Sequence, residues 1–424
     1  MMRLLQLGCV FACSTALVES ALAQATPAEE PLPFPGLLRR AEREAGNPLA
    51  TYAAMLEFEA RYCSSKVFAD IYAEVRCNYE EFLGLPLAGL EAMALPALRT
   101  GPNRDETAIP EGFAPSNAVA TIVRAAAKTR LVIFGEEHHL PQTRSLYEPM
   151  LRELWARGYH YLAAETFTAA VMAAGFEVPD YLSGYYVMDP VFASAVRTAK
   201  RLGYHLIAYD TAERGPPGDS SFRDRTQAQN LKQQVFDHDP QAKLVVFAGR
   251  GHAAEVPPAD GWTPMASVLK QLTGIDPFTI YAPTMGQRQT PAQEDPMYRY
   301  ATAHDLVREP TLFVDPEGAC LGSGNCDAYV FWPRFTVVDG RPDWLAKTMG
   351  RKPVPVPKPL REGKGLRLVQ VFLTGEPGTA VPVDQILLRE GEPMPALMLP
   401  AGSFWSRAID AAGAVVGPIA FELP

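Results

Sequence analysis

Cysteine is scarce in this chain, with 6 in 424 residues. Two of them, Cys9 and Cys13, fall in residues 1–23, which leaves Cys63, Cys77, Cys320 and Cys326. None of these four forms a C-x-x-C pair, which argues against a thiolate metal site. Basic residues are also in short supply: 39 Lys and Arg against 48 Asp and Glu, a formal net charge of -9. Arg3 and Glu19 cancel, so removing residues 1–23 leaves the balance unchanged. With no long basic run, binding to nucleic acid or anionic lipid is disfavoured. After the N-terminal stretch no apolar run is long enough to span a bilayer. A G-x-S-x-G elbow is missing too, so Gly218-Asp-Ser-Ser221 is not read as a serine nucleophile. Internal repeats are absent.

What is present begins with a leader. Arg3, the mostly apolar Leu4–Leu17 and the A-x-A site Ala21-Leu22-Ala23 predict a cleaved signal peptide over 1–23. The mature chain is expected in a periplasm or outside the cell. Cys9 has no lipobox around it, which argues against a lipid anchor. An oxidising compartment and an even cysteine count favour local disulfides, Cys63–Cys77 and Cys320–Cys326.

Composition and periodicity divide the rest. Residues 24–36 read as a flexible leader. Residues 37–114 read as a small helical domain and a connection. Over 115–285, short apolar runs alternate with helical segments, which predicts a mainly parallel sheet flanked by helices, an α/β fold. The expected strands are Leu131–Phe134, Tyr161–Ala164, Leu206–Tyr209, Leu244–Ala248 and Phe278–Tyr281. The expected helices are Ala118–Ala127, Thr143–Arg157, Pro190–Leu202, Phe222–Asp237 and Pro264–Leu272, with Ser220 and Ser221 read as caps of the fourth. Residues 286–360 read as an irregular connection with a Pro-rich linker, and 361–424 as a small all-β domain.

The chemistry collects at strand ends. Leu131-Val-Ile-Phe-Gly-Glu-Glu-His-His-Leu140 is an apolar strand that delivers two carboxylates and two imidazoles in one turn. Glu165 follows the second strand, Asp210 the third, and Gly249-Arg-Gly-His252 the fourth. Open α/β sheets bind ligands beyond the carboxyl ends of their strands. His160 and His205 stand at strand beginnings, on the other edge, and His238 at a helix end, so these three read as structural. The remaining group suits two chemistries. One is a metal site with His138, His252, Glu136 and Glu165 as ligands and a polarised water. The other is metal-free general base catalysis. Gly249 and Gly251 read as permitting the turn that aims His252. Arg223 and Arg225 sit near a helix N-terminus, where cations are disfavoured. Pairing with acids or with a substrate oxyanion would account for them, as would a plain surface arginine pair.

These motifs resemble the Tiki/TraB/erythromycin-esterase/ChaN superfamily. The resemblance lies in Gly135-Glu-Glu-His138, Gly249-Arg-Gly-His252, Glu165, and the segment holding Arg223, Asp224, Ala228 and Asn230. It spans about 117–285. Tiki-type members imply a metal-dependent protease, here with Mn, Zn or Co. Esterase-type members imply a metal-free histidine base, which their spacing would put at His139 rather than His138. ChaN-like members imply haem binding without turnover, and Tyr147 is then a candidate ligand. The leading expectation is an exported hydrolase of an ester or amide bond acting on a small-molecule or peptide substrate. Its residues would be His138, His139, His252, Glu136, Glu165 and Arg223. A haem or metal binder in iron uptake is the alternative. A third reading gives the C-terminal β domain an envelope protein partner, with the α/β site vestigial.

Overall fold

The computed structural model describes residues 48–57, 59–63, 66–93, 106–213, 215–258 and 261–424. The expected signal peptide and flexible leader lie outside the described residues. The chain divides into two compact units. Their described parts are 106–177 with 195–334, and 48–93 with 178–194 and 335–424.

The first of these units is an α/β sheet. Its strands are β1 (Ala114–Asn117), β2 (Leu131–Glu136), β3 (Tyr161–Ala164), β4 (His205–Ile207), β5 (Leu244–Gly249), β6 (Phe278–Met285), β7 (Thr311–Val314) and β8 (Ala328–Phe331). Among the described residues they form one sheet in the order β1-β7-β8-β6-β2-β5-β3-β4. From β8 across to β4 every neighbouring pair is parallel. Only β7 runs the other way, antiparallel to β8 on one side and to the edge strand β1 on the other.

The central strands show why. All six residues of β2 and of β5 are buried. A strand covered on both faces has no use for alternation, and Leu131-Val-Ile-Phe and Leu244-Val-Val-Phe are continuous apolar runs. One face packs Leu131, Ile133, Leu244 and Val246 against Ala228 and Leu231 of α1 (Phe222–Leu231) and Leu269 of α2 (Met265–Thr273). Each fully buried Leu, Val or Ile is worth about 1.5–3 kcal/mol of transfer free energy. α2 closes on Gly274, left-handed at φ 68°, whose N–H donates to the Lys270 carbonyl.

The five expected strands are all present, the third as His205–Ile207 rather than Leu206–Tyr209. The connection over 286–360 is not irregular throughout. It supplies β7 and β8, which extend the sheet beyond β6. Ser221 does not cap α1 either; its hydroxyl accepts the Thr263 N–H at 2.8 Å.

The other unit joins what the sequence presents as two separate regions. Four antiparallel strands lie in the order Asp384–Leu388, Arg367–Leu373, Gly402–Asp410, Val415–Leu423. Val369, Val371, Ile386 and Phe404 fill their core. The helices Pro48–Glu57 and Lys66–Phe82 belong to the same unit. Gln385 Nε2 donates to the Phe82 carbonyl at 2.7 Å, the Leu387 N–H to the Leu83 carbonyl at 2.9 Å, and Arg389 to the Tyr52 hydroxyl at 3.0 Å. Backbone groups that need partners pull the N-terminal helices onto the β region, so neither stands as its own domain.

The expected disulfides are not formed. Cys63, Cys77, Cys320 and Cys326 are free thiols. Cys63 is exposed while Cys77 is buried, and the Cys326 thiol contacts the Ser323 hydroxyl at 3.6 Å. Burial pushes the Cys77 thiol up to about 12 and those of Cys320 and Cys326 to about 11. Such thiols are poor nucleophiles and poor metal ligands at neutral pH. No helix among the described residues is long and apolar enough to cross a membrane.

Candidate functional site

The carboxyl ends of β2, β3 and β5 and the loop after β4 bring the strand-end residues together. Parallel pairing sets Glu136 opposite Gly249. The Arg250 N–H donates to the Glu136 carbonyl at 2.9 Å and locks the two turns side by side. Gly135 is needed for that approach: a Cβ there would lie 2.9 Å from Arg250 Cα and 3.0 Å from the Ile280 carbonyl oxygen. Glu165 leaves β3 next to Thr166, a β-branched residue held at φ 47°. That left-handed conformation is rare for threonine and marks a strained turn at the site.

Two carboxylate–histidine pairs form. Glu136 Oε1 meets His138 Nδ1 at 2.8 Å, and Asp224 Oδ1 meets His252 Nδ1 at 2.7 Å. Both Nε2 atoms face Glu165, at 3.5 Å from His138 and 3.8 Å from His252. Glu165 also accepts the Gly249 N–H at 2.6 Å.

Each carboxylate in the pairs is clamped from behind. Arg144, fully buried, donates its Nε and Nη2 to Glu136 at 3.0 and 2.9 Å, and Nη2 also to the His138 carbonyl at 2.9 Å. The Tyr147 hydroxyl donates to Glu136 as well. Asp224 accepts from Trp262 Nε1 at 2.9 Å and from the Met265 N–H at 2.8 Å. Arg223 ties the other side together. It reaches Asp210 at 3.0 and 2.8 Å, Glu165 at 2.8 Å and His252 Nε2 at 2.7 Å. A guanidinium only donates, so this last contact puts the His252 proton on Nδ1, towards Asp224.

The electrostatics arise from these contacts. Burial alone would raise the Glu136 carboxyl, but Arg144 and His138 outweigh it and bring it down to about 2. Burial alone would lower the His138 pKa, but Glu165 and Glu136 overcome it and raise it to about 9. Against its own burial, Glu165 is held well below the carboxylate range by His138, Arg223 and His252. For His252, burial opposes protonation; Asp224 and Glu165 favour it and prevail, with Arg223 acting against them.

His138 is therefore the reachable imidazole. Its side chain is 11% exposed, against 5% for His252. Its Nε2 lies 3.5 Å from Glu165, longer than an ordinary hydrogen bond. His139 is buried and turns to Glu137 at 3.3 Å, so it does not enter this group. Tyr147 is close but committed. Its ring stacks on Phe247 at 3.6 Å between centroids, its hydroxyl serves Glu136, and burial raises its pKa well above the usual value. That removes it as a haem ligand. Arg223 is committed to acids and to His252 rather than presented to a substrate oxyanion.

The donor set does not fit a divalent metal. Imidazoles backed by carboxylates at Nδ1 are what metal ligands usually show. Here, however, a guanidinium already occupies the Glu165 oxygen and the His252 nitrogen that would bind an ion. Among the described residues no group of three or more His, Cys, Asp or Glu side chains is arranged to hold one.

No family model matches the chain, and no curated protein matches it. Two solved structures do. A type III effector, HopBA1, aligns at 20% identity over 44% of this chain and 95% of its own, with a TM-score of 0.29. A structure described as bacterial protein toxins aligns at 10% identity over 54% of this chain and 47% of its own, also with a TM-score of 0.29.

Sequence reasoning named Glu136, His138, Glu165, Asp210 and His252, and the structure brings all five together. It missed Arg144, Trp262 and the part played by Asp224. Asp224 was visible in the motif, one residue past Arg223, but a helix N-terminus accounts for an acid there without any site. Arg144 had one available signal: a lone arginine one turn beyond four ionisable residues.

Gly249 is required by space rather than by a turn. A Cβ on it would lie 2.9 Å from His138 Nε2 and 3.3 Å from Glu165 Oε2. Gly249→Ala is expected to displace the His138 ring, which NMR should register as a shift of its imidazole resonances. Circular dichroism should stay unchanged. Unshifted His138 resonances in a folded Gly249→Ala protein would contradict this geometry.

Proposed function

We propose that this chain is a hydrolase of an ester or amide bond, with His138 as its general base and no metal in the reaction. The observation that carries the reading is the state of His138. It is the more exposed site imidazole, clamped at Nδ1 by Glu136 and with Nε2 at 3.5 Å from Glu165. The resemblance of the G-x-x-H turns to the Tiki/TraB/erythromycin-esterase/ChaN superfamily, which includes hydrolases, supports the reaction class, although the esterase spacing itself falls on His139. In the neutral form the ring proton sits on Nδ1, towards Glu136. Nε2 takes a proton from water as the water oxygen bonds to the substrate carbonyl carbon. The imidazolium then returns that proton to the leaving oxygen or nitrogen as its bond to carbon breaks. The acid and the alcohol or amine depart, and His138 is restored. Glu136 fixes the ring and stabilises its cation; Glu165 and His252, held by Arg223, position the opposite wall.

The test uses the purified full chain, p-nitrophenyl acetate and a fluorogenic peptide library. Turnover should appear with at least one of them, persist in EDTA and vanish in His138→Ala. Chelator-sensitive turnover would overturn the metal-free reading. A Soret band on haem titration that requires His138, without turnover, would favour the binder.

A further inference from the structure

Three arginines border the site, and they are not equivalent. Arg144 and Arg223 are filled by carboxylates, histidine and a carbonyl. Arg250 is different. Its guanidinium makes no hydrogen bond to any described residue, and its nearest acid, Glu137, lies at 3.9 Å from Nε. Its side chain is 37% exposed, although its backbone is fixed by the N–H bond to Glu136. It stands two residues before His252 on the site's own turn. A second guanidinium lies close by. Arg288 is buried nearby, donating to the Pro283 carbonyl at 2.6 Å and the Gln287 carbonyl at 3.2 Å. Burial lowers the Arg288 pKa, Glu137 opposes this, and repulsion from Arg250 adds to it. Two guanidiniums thus share the influence of Glu137, with Glu294 also acting on Arg288.

We infer that Arg250 is the specificity-determining residue of the site and binds an oxyanion, a carboxylate or a phosphate, carried by the substrate. This rests on the hydrolase reading and adds the substrate class: esters or amides with an anionic group near the scissile bond. A guanidinium with its backbone anchored and its only ion pair a 3.9 Å contact to Glu137 among the described residues offers two parallel donors to such a group. A neutral substrate would leave it in water, at no gain.

The experiment compares p-nitrophenyl hemisuccinate with p-nitrophenyl acetate, and follows the thermal shift given by succinate and by inorganic phosphate. Wild type should prefer the anionic ester. Arg250→Gln should lower kcat/KM for it by about 10- to 100-fold, as loss of a charge-assisted hydrogen bond implies. The loss for the neutral ester should be smaller, so that the anionic-to-neutral preference falls, and Arg250→Lys should recover part of that preference. Succinate or phosphate should raise the Tm of wild type but not of Arg250→Gln; whichever does so identifies the oxyanion. Because binding is read without turnover, an Arg250-dependent thermal shift in a protein that hydrolyses nothing would sink the hydrolase reading alone. An equal response of wild type and Arg250→Gln to both anions, or no response in either, would overturn the role of Arg250.

Discussion

Arg144→Met is expected to destabilise the protein by about 3–5 kcal/mol, the usual cost of removing one partner from a buried ion pair. Arg144 has no exposed side-chain surface, and Glu136 is 3% exposed. Without the guanidinium, Glu136 keeps only the Tyr147 hydroxyl and His138 as partners. A carboxylate so placed either carries its desolvation cost or takes up a proton. The second outcome would remove the anion that orients His138. Methionine fills much of the same volume, so the loss reports on charge rather than on a cavity. Glu136→Gln in the same background should restore part of the stability, because the unpaired charge is then gone. Urea unfolding of the two single variants and the double variant gives the coupling directly. A single-variant loss below about 1 kcal/mol would show that Glu136 finds other partners, contrary to the geometry.

The second large effect is on activity. His138→Gln keeps a polar side chain but no base, and kcat should fall by about 100- to 10,000-fold. The pH profile distinguishes this from mere disturbance. With a His138 pKa of about 9, the base is mostly protonated at neutrality, so the rate should climb through about pH 9 rather than level off near 6.5. Removing Glu165's charge by Glu165→Gln should shift that limb towards lower pH. A limb near 6.5 in wild type would argue against the paired-carboxylate environment.

The same groups set opposite limits on stability. His138 is raised from 6.5 to about 9, so its contribution is complete below 6.5 and is lost as pH rises through 9. Glu136 is lowered from 4.5 to about 2, so its contribution is complete above 4.5 and is lost as pH falls through 2. Together they contribute most between 4.5 and 6.5, a window whose upper edge lies about 2.5 pH units below the alkaline limb of the proposed activity. A rate maximum that coincides with the stability maximum would contradict this assignment.

Much of the site was legible because strand ends are legible. Apolar runs such as Leu131–Phe134 and Leu244–Phe247 can only be buried strands, and the residues just past them share an edge once the strands pair in parallel. The clamps were not legible in the same way. Arg144 reaches back eight residues to Glu136, and Trp262 reaches back 38 residues to Asp224. No periodicity encodes such reach. Nor could spacing tell His138 from His139, since both stand two positions after a glutamate and both find it. What separates them is which ring the sheet turns towards Glu165. The β7 and β8 strands escaped notice because each is four residues long and lies among loops. The unit formed by the N-terminal helices and the C-terminal strands escaped because chain order says nothing about partners 303 residues apart, as with Gln385 and Phe82.

The pairing of Glu136 with Gly249 has a consequence for how the protein acquires the proposed activity. The two turns come from segments more than a hundred residues apart, and only one alignment of β2 against β5 puts a glycine beside the His138 ring. Sliding β5 back by a single position would set Ala248 there and turn every β5 side chain to the other face. The result would keep its sheet and much of its burial yet lack the space for the imidazole. Recovery of activity during refolding therefore counts correctly aligned molecules, whereas circular dichroism counts all molecules with a sheet. The ratio of the two signals gives the fraction of chains trapped out of register.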